Sequence, residues 1–133
     1  MKTLATFILL FAIWCAPLAF AQEVTPRTQI ETLLSSIKPG QIELAIGAFA
    51  KDSLMPDVEV DRLESQADTL LPGERTVLSF EFISEQTFGT SVKRLVYILK
   101  TNDQPLVWHF WYYKPNGKWL PLRVVIGYET LLY

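Results

Sequence analysis

The chain has 133 residues, half of them hydrophobic, with 12 Lys and Arg against 14 Asp and Glu and a net charge of −2. This length excludes a two-domain enzyme, the charge excludes a strongly basic nucleic-acid binder, and one cysteine excludes a scaffold built from disulfides. Seventeen of the first 21 residues are apolar. The remainder therefore has an ordinary soluble composition, and without Lys2 its net charge is −3.

The first 21 residues have the pattern of a bacterial export signal. Lys2 gives a short positive start, an apolar block runs from Leu4 to Cys15, and Ala19-Phe20-Ala21 has the small residues that signal peptidase reads. The block of about 12 residues is too short to span a bilayer without tilt or thinning. We predict cleavage after Ala21 and a periplasmic or secreted protein without Cys15, and a retained N-terminal anchor is the alternative.

Three helices are predicted after this segment. Thr25-Pro26 provides an N-cap and a proline at the first helical position, and Pro39-Gly40 ends the first helix. Residues 51–56 break the second helix, and Pro72-Gly73 ends the third. Apolar side chains recur at helical spacing in all three: Ile30, Leu33, Leu34 and Ile37; Ile42, Ala45, Ile46 and Phe49; Val60, Leu63, Ala67 and Leu70.

The second half of the chain changes to alternating apolar and polar residues. This pattern predicts four strands, at 76–87, 90–101, 104–114 and 118–126. The turns between them are short, so consecutive strands must be antiparallel neighbours. Residues 22–133 are therefore predicted to form a single α+β domain, with three N-terminal helices packed on one face of a four-stranded antiparallel meander.

The turns also predict which side chains share a face of the sheet. Two-residue turns at Phe88-Gly89 and Asn102-Asp103, and a turn at Pro115-Asn116-Gly117 with Gly117 left-handed, give one consistent register. In that register Lys114 pairs with Lys118. The predicted core face then carries Leu78, Phe80, Phe82, Leu95, Tyr97, Leu99, Trp108, Phe110, Tyr112, Leu120, Leu122, Val124 and Ile126.

The opposite face is more apolar than solvent exposure requires. A solvated outer face is mostly polar, whereas this one is predicted to carry a row of Glu81, Val96, His109 and Arg123, with Pro121 also outside. Aromatic and Arg residues in an apolar patch are typical of interfaces. The predicted surface for a protein partner or a second copy is Arg94, Val96, Val107, His109, Trp111 and Arg123, with Arg94 beside Trp111. Cover by the end of the chain or by residues 22–25 is the alternative.

The segment Phe110-Trp111-Tyr112-Tyr113-Lys114-Pro115-Asn116-Gly117-Lys118-Trp119 resembles the closing strands of small exported proteins in the nuclear transport factor two-like, or cystatin-like, superfamily. Ala48-Phe49-Ala50-Lys51-Asp52 at the end of the second helix agrees with this resemblance. The resemblance implies a curved sheet wrapped around a long helix as a cone, often with a cavity, and dimerisation through the sheet. Residues 53–57 are too few for the extra hairpin of full-size members.

The residues offer little for catalysis. The predicted core face has no Asp, Glu or His, and tyrosine, with a pKa near 10, is a poor base at neutral pH. His109 faces outward unless the final strand slips by one residue. We therefore expect a non-catalytic binding domain with no cofactor, no metal, no nucleic acid and no membrane contact after cleavage. The alternatives are a carrier of a small apolar ligand in a pocket at Tyr97, Trp108 and Tyr112, and a small His109-dependent enzyme.

Overall fold

The computed structural model describes residues 24–38 and 40–128, so the predicted export segment and Cys15 lie outside the described residues. In the described part of the chain, three helices precede a four-stranded antiparallel sheet of order β1-β2-β3-β4, which confirms the predicted α+β class. Among the described residues no helix is both long enough and apolar enough to cross a membrane. The elements are α1 Pro26–Ser36, α2 Ile42–Ala50, α3 Asp57–Leu70, β1 Val77–Phe88, β2 Val92–Thr101, β3 Pro105–Tyr113 and β4 Leu120–Gly127.

The helices begin and end where the sequence indicates. The Thr25 hydroxyl accepts a hydrogen bond from the Thr28 amide (3.2 Å) and caps α1. Gly40 has φ 84°, a left-handed conformation that glycine adopts at little cost, between α1 and α2. The predicted apolar faces are buried at Ile30, Leu33, Leu34, Ile37, Ile42, Ala45, Ile46, Leu63 and Ala67, while Phe49, Val60 and Leu70 are partly buried.

One face of the sheet, called here the inner face, belongs to the same hydrophobic cluster as the buried helix residues. Its centre is aromatic: the Phe110 ring lies 5.9 Å from Trp108, 6.1 Å from Tyr97 and 5.7 Å from Phe49 of α2. Leu95, Leu99, Leu106, Val124 and Ile126 complete this face. The predicted core of β2 and β3 is therefore confirmed.

The predicted register of β1 against β2 is wrong, by two residues from Ser79 to Phe82 and by three from Ser84 to Phe88, because a bulge separates the two segments. Phe82 pairs with Tyr97, and Ser84, not Glu81, lies opposite Val96. The turn differs from the prediction because Phe88 stays in the strand opposite Val92, which leaves a loop at 89–91 with Gly89 at φ 60°. A register shift between Val77 and Ser79 leaves Leu78, predicted to be core, 63% exposed.

The predicted register of β4 is also wrong, because a bulge interrupts its pairing with β3. Tyr113, not Lys114, makes the last pair, and His109 lies opposite Val125 rather than Arg123. A proline has no N–H for the ladder, so it favours edge strands and bulges, and β4 is an edge strand with Pro121 at this bulge. Pro121 is consequently buried and Leu122 is 42% exposed, the reverse of their predicted positions.

The end of the sheet next to the β2–β3 turn is held by a polar cluster around Arg75. Its guanidinium lies 3.0 Å from the Asp103 carboxylate and donates to the Tyr128 hydroxyl (2.9 Å). The Thr101 hydroxyl also donates to Asp103 (2.9 Å). This cluster joins the segment before β1, the β2–β3 turn and the residue after β4.

We expect Asp103→Asn to lower stability at neutral pH and to have no effect in acid. The Thr101 hydrogen bond and the Arg75 charge hold the pKa of Asp103 below its ordinary value. A carboxylate with a lowered folded-state pKa stabilises the fold above its unfolded pKa of about 3.9, and this stabilisation is lost as pH falls through the folded pKa. Urea midpoints of the two proteins should therefore differ at pH 7 and converge below pH ~3. A difference independent of pH would contradict this account.

Candidate functional site

All six residues predicted to bind a partner lie on the outer face of the sheet, opposite the aromatic core. Arg94 lies opposite Trp111, as predicted, and Trp111 lies opposite Arg123. The six residues form two groups that differ in exposure. Val96, Val107 and His109 are 6%, 0% and 7% exposed, whereas Arg94 and Trp111 are half-buried and Arg123 is exposed.

The accessible group is centred on Trp111. The Phe88 ring stacks on Trp111 with centroids 6.2 Å apart and planes 27° apart, and the Arg94 guanidinium lies 5.4 Å from the Trp111 ring centre. Gln86 accepts a hydrogen bond from Arg94 and fixes this guanidinium. We call Phe88, Arg94, Trp111, Tyr113 and Arg123 the Trp111 patch. Trp, Tyr and Arg are the residue types that dominate binding energy at protein interfaces.

The sequence prediction did not include Phe88 or Tyr113 in this surface. The sequence predicts that Phe88 lies in a two-residue turn, where its side chain would not lie on the sheet. In the structure it is 48% exposed and continues the strand to reach Trp111. The aromatic character of residue 88 was the available signal, because a large aromatic residue favours a strand over a tight turn.

A cleft of about 580 Å³ opens beside the patch, between the first turns of α3 and the bulge of β4. We call it the α3–β4 cleft. Met55, Leu122 and Val124 give it an apolar floor, and the bulge is what turns Leu122 into it. Its other lining residues are Glu59, Arg62, Trp111 and Arg123. Trp111 and Arg123, which belong to the predicted partner surface, therefore also line the largest of the described clefts.

Charged residues line both walls of the cleft. On α3 they are Glu59 and Arg62, which form an ion pair. Glu59 lies in the first turn of the helix, where the helix dipole favours carboxylates. On the sheet wall the charged residue is Arg123. The cleft therefore combines an apolar floor with a paired carboxylate on one wall and a basic residue on the other.

The three residues of the predicted ligand pocket lie in the aromatic core. Tyr97, Trp108 and Tyr112 are fully buried, and the described clefts are lined by other residues. The Tyr97 hydroxyl lies 3.5 Å from a Glu31 carboxylate oxygen, and the Tyr112 hydroxyl lies 3.5 Å from the Pro26 carbonyl. Burial raises the pKa of both tyrosines, so neither is suited to act as a base.

A smaller cleft of about 260 Å³, which was not predicted from the sequence, lies between α1 and α2. Leu33, Ala45 and Phe49 contribute apolar surface. Gln29 also lines it, and its buried side-chain oxygen accepts no hydrogen bond within the described part of the chain. This arrangement has the mixed lining of a small-molecule site.

His109 faces outward in the row of Ser84, Val96 and Val125, because β3 keeps the predicted register with β2. Within residues 24–38 and 40–128 there is no group of three His, Cys, Asp or Glu side chains that could hold a metal ion. The side chains that line the described site are apolar, aromatic and charged.

No protein-family model, curated protein or solved structure matches this chain. The superfamily resemblance in the closing strands therefore stays a prediction.

Proposed function

We propose that this protein is a non-catalytic, exported binding domain that forms a homodimer through the Trp111 patch and the α3–β4 cleft. One observation carries the proposal: an accessible stack of Phe88, Trp111 and Arg94 lies next to an open apolar cleft with Glu59 on one wall and Arg123 on the other. The cores of protein interfaces are typically apolar and are enriched in aromatic and Arg residues. Export follows from the predicted signal in residues 1–21.

The proposed architecture is a cystatin-like cone, in which the three helices form a layer against the inner face. Phe49 of α2 contacts Phe110 of β3, Arg27 of α1 lies 4.0 Å from the Phe82 ring centre, and Gln66 of α3 donates to the Ile126 carbonyl (3.0 Å). These contacts, one from each helix, support a helical layer on that side. The outer face of the sheet is then the surface for dimerisation, as the resemblance implies.

A second copy is the partner that we propose. A two-fold axis through the cleft would place Glu59 of each copy against Arg123 of the other, so that this pairing forms twice. Isologous interfaces need such a self-complementary surface. Opposite charges at the rim also favour the correct orientation and suppress wrong ones. If the purified chain stays monomeric, the partner of this surface is a different protein.

The charge arrangement gives a reciprocal test. Arg123→Glu places like charges together across the two-fold axis and should raise the dimer Kd about 10-fold or more. Adding Glu59→Lys restores opposite charges and should recover most of the affinity. Analytical ultracentrifugation of both variants measures this, with Lys100→Glu, an exposed charge paired with Glu81 in the same copy, as the control. If the double variant is no tighter than Arg123→Glu alone, this pairing is wrong.

A second candidate function, carriage of a small apolar ligand, is favoured by the α1–α2 cleft and the unsatisfied Gln29 oxygen within it. The ligand would place its apolar part on Phe49 and Leu33 and donate a hydrogen bond to Gln29. Native mass spectrometry of the protein starting at Gln22 tests this. A bound mass that is absent in Ala45→Phe, which fills the cleft, supports carriage, whereas a bare chain mass in both contradicts it.

A further inference from the structure

A third cleft, of about 330 Å³, opens at the start of α1. One of its residues, Lys93 of β2, lies opposite the inner-face residue Tyr112, so the cleft and the Trp111 patch lie on opposite sides of the sheet. Val24 and Pro26 contribute apolar surface. The volume is at the lower end of the range for small-molecule sites. We call it the Lys114 cleft, and its remaining lining residues are Thr25, Arg27, Glu85, Lys114 and Trp119.

Two lysine side chains of this cleft lie near the same aromatic ring. The ammonium nitrogens of Lys93 and Lys114 are 4.8 and 5.4 Å from the centre of the Trp119 ring, within the range of cation–π attraction. Trp119 is partly buried and packs against the hydrophobic core. The Lys114 amide donates to the Ser91 carbonyl (2.8 Å), which fixes the backbone beside it. Contacts within the chain therefore hold both positive charges at the cleft.

The positive charges of the cleft are balanced only in part. Glu85 lies 3.0 Å from the Lys93 ammonium group, and Glu31, which does not line the cleft, lies 3.6 Å from the Arg27 guanidinium. No carboxylate of the described residues forms an ion pair with Lys114. One positive charge therefore remains unbalanced in the cleft, although the net charge of the chain is −2.

The start of α1 adds little to the attraction of an anion. Pro26 has no N–H group, and the Thr28 amide already donates to the Thr25 hydroxyl (3.2 Å). The two lysines are therefore the groups that would bind a negative charge in this cleft.

We propose that the Lys114 cleft binds a small organic monocarboxylate. Its carboxylate oxygens would accept hydrogen bonds from the Lys114 ammonium group, and such charge-assisted bonds are stronger than neutral ones. Its apolar part would lie along Val24 and Pro26. A single negative charge is sufficient, because Glu85 already balances Lys93. This site goes beyond the proposed homodimer and does not depend on it.

The indole N–H resonances of the tryptophans test the proposal by nuclear magnetic resonance. The protein starting at Gln22 contains Trp108, Trp111 and Trp119, and Trp119→Phe identifies the resonance from the cleft. Benzoate, a monocarboxylate with an apolar ring, should shift the Trp119 resonance along a saturable curve with a Kd of about 1 mM. The other two resonances should not move. A Trp119 shift no larger than that in sodium chloride of equal ionic strength would overturn the proposal.

Two lysine variants separate this site from a general attraction of anions to the protein. Lys114→Gln removes the unbalanced charge and should weaken benzoate binding about 10-fold or more. Lys100→Gln removes a lysine that pairs with Glu81 outside the cleft and should leave the Kd unchanged. Equal Kd values for the two variants would overturn the proposal.

Glu85→Gln gives a test that relies on a gain of binding. This substitution frees Lys93 from its ion pair and should tighten benzoate binding about 3-fold, the size expected for a partly exposed pair. A gain of affinity cannot result from loss of the fold. Weaker binding by Glu85→Gln would contradict the assigned role of the lysines.

Two further titrations define the ligand class and separate this site from the dimer. Inorganic phosphate lacks an apolar part and should bind more weakly than benzoate, so tighter binding of phosphate would overturn the assignment to a monocarboxylate. Trp111→Ala should bind benzoate with the unsubstituted Kd, because Trp111 lies on the other side of the sheet. Loss of benzoate binding in Trp111→Ala would overturn the independence of the two sites.

Discussion

Trp108→Ala should lower the free energy of unfolding by about 3–5 kcal/mol, the largest effect expected of any single substitution here. Trp108 is fully buried at the centre of the inner face, and its ring stacks on Phe110 at 5.9 Å and 13°. Removing it deletes the apolar contact area and leaves a cavity that the surrounding rings fill only in part. Urea unfolding followed by circular dichroism measures the change without relying on tryptophan fluorescence.

Trp108→Phe is the matched control for this prediction. The indole N–H of Trp108 is buried and has no hydrogen-bond partner in the described part of the chain, and an unsatisfied buried donor costs about 1–3 kcal/mol. Phenylalanine keeps most of the ring contact and removes that donor. The net cost should therefore be about 1 kcal/mol or less. A loss as large as that of Trp108→Ala would mean that the N–H is bonded.

Trp111→Ala should raise the Kd of the dimer at least 30-fold, which corresponds to about 2 kcal/mol for loss of a central anchor. Trp111 is the residue that joins the patch to the cleft, because it stacks with Phe88 and also lines the cleft with Leu122. The substitution removes the anchor and leaves Arg94 without its ring partner. Analytical ultracentrifugation across a concentration series measures the Kd.

Two comparisons isolate the effect on association. Leu44→Ala removes a side chain that is 75% exposed on α2, so it should leave the dimer unchanged. Thermal unfolding monitored by circular dichroism shows whether Trp111→Ala keeps the fold. A folded Trp111→Ala protein with the wild-type Kd would remove the Trp111 patch from the interface.

The register between β2 and β3 was predictable because a short, specific turn determines it. Asn102-Asp103 allows one pairing, and that pairing places Tyr97 opposite Trp108 and Arg94 opposite Trp111, as observed. The alternation of apolar and polar residues then assigns both faces at once. The central half of the sheet, and with it most of the outer-face residues, follows from local sequence.

The edge strands could not be predicted in the same way, because bulges change their register without a clear local signal. Pro121 indicates that β4 is interrupted, but it does not indicate the direction of the shift. At the bulge the Leu54 amide donates to the Pro121 carbonyl (2.8 Å) from the loop before α3, a contact between distant parts of the chain that local sequence does not predict. The cleft itself is formed by elements about 60 residues apart in sequence. The spacing of apolar residues within one element does not predict a contact between two such distant elements.

Sedimentation equilibrium of the protein starting at Gln22 is the most direct test of the proposed function. The homodimer predicts a mass approaching that of two chains as the concentration rises to about 100 µM, because a Kd in or below this range corresponds to a modest interface free energy of about 5–8 kcal/mol. The mass should return to one chain in Trp111→Ala. A one-chain mass for the unsubstituted protein throughout this range would contradict the homodimer.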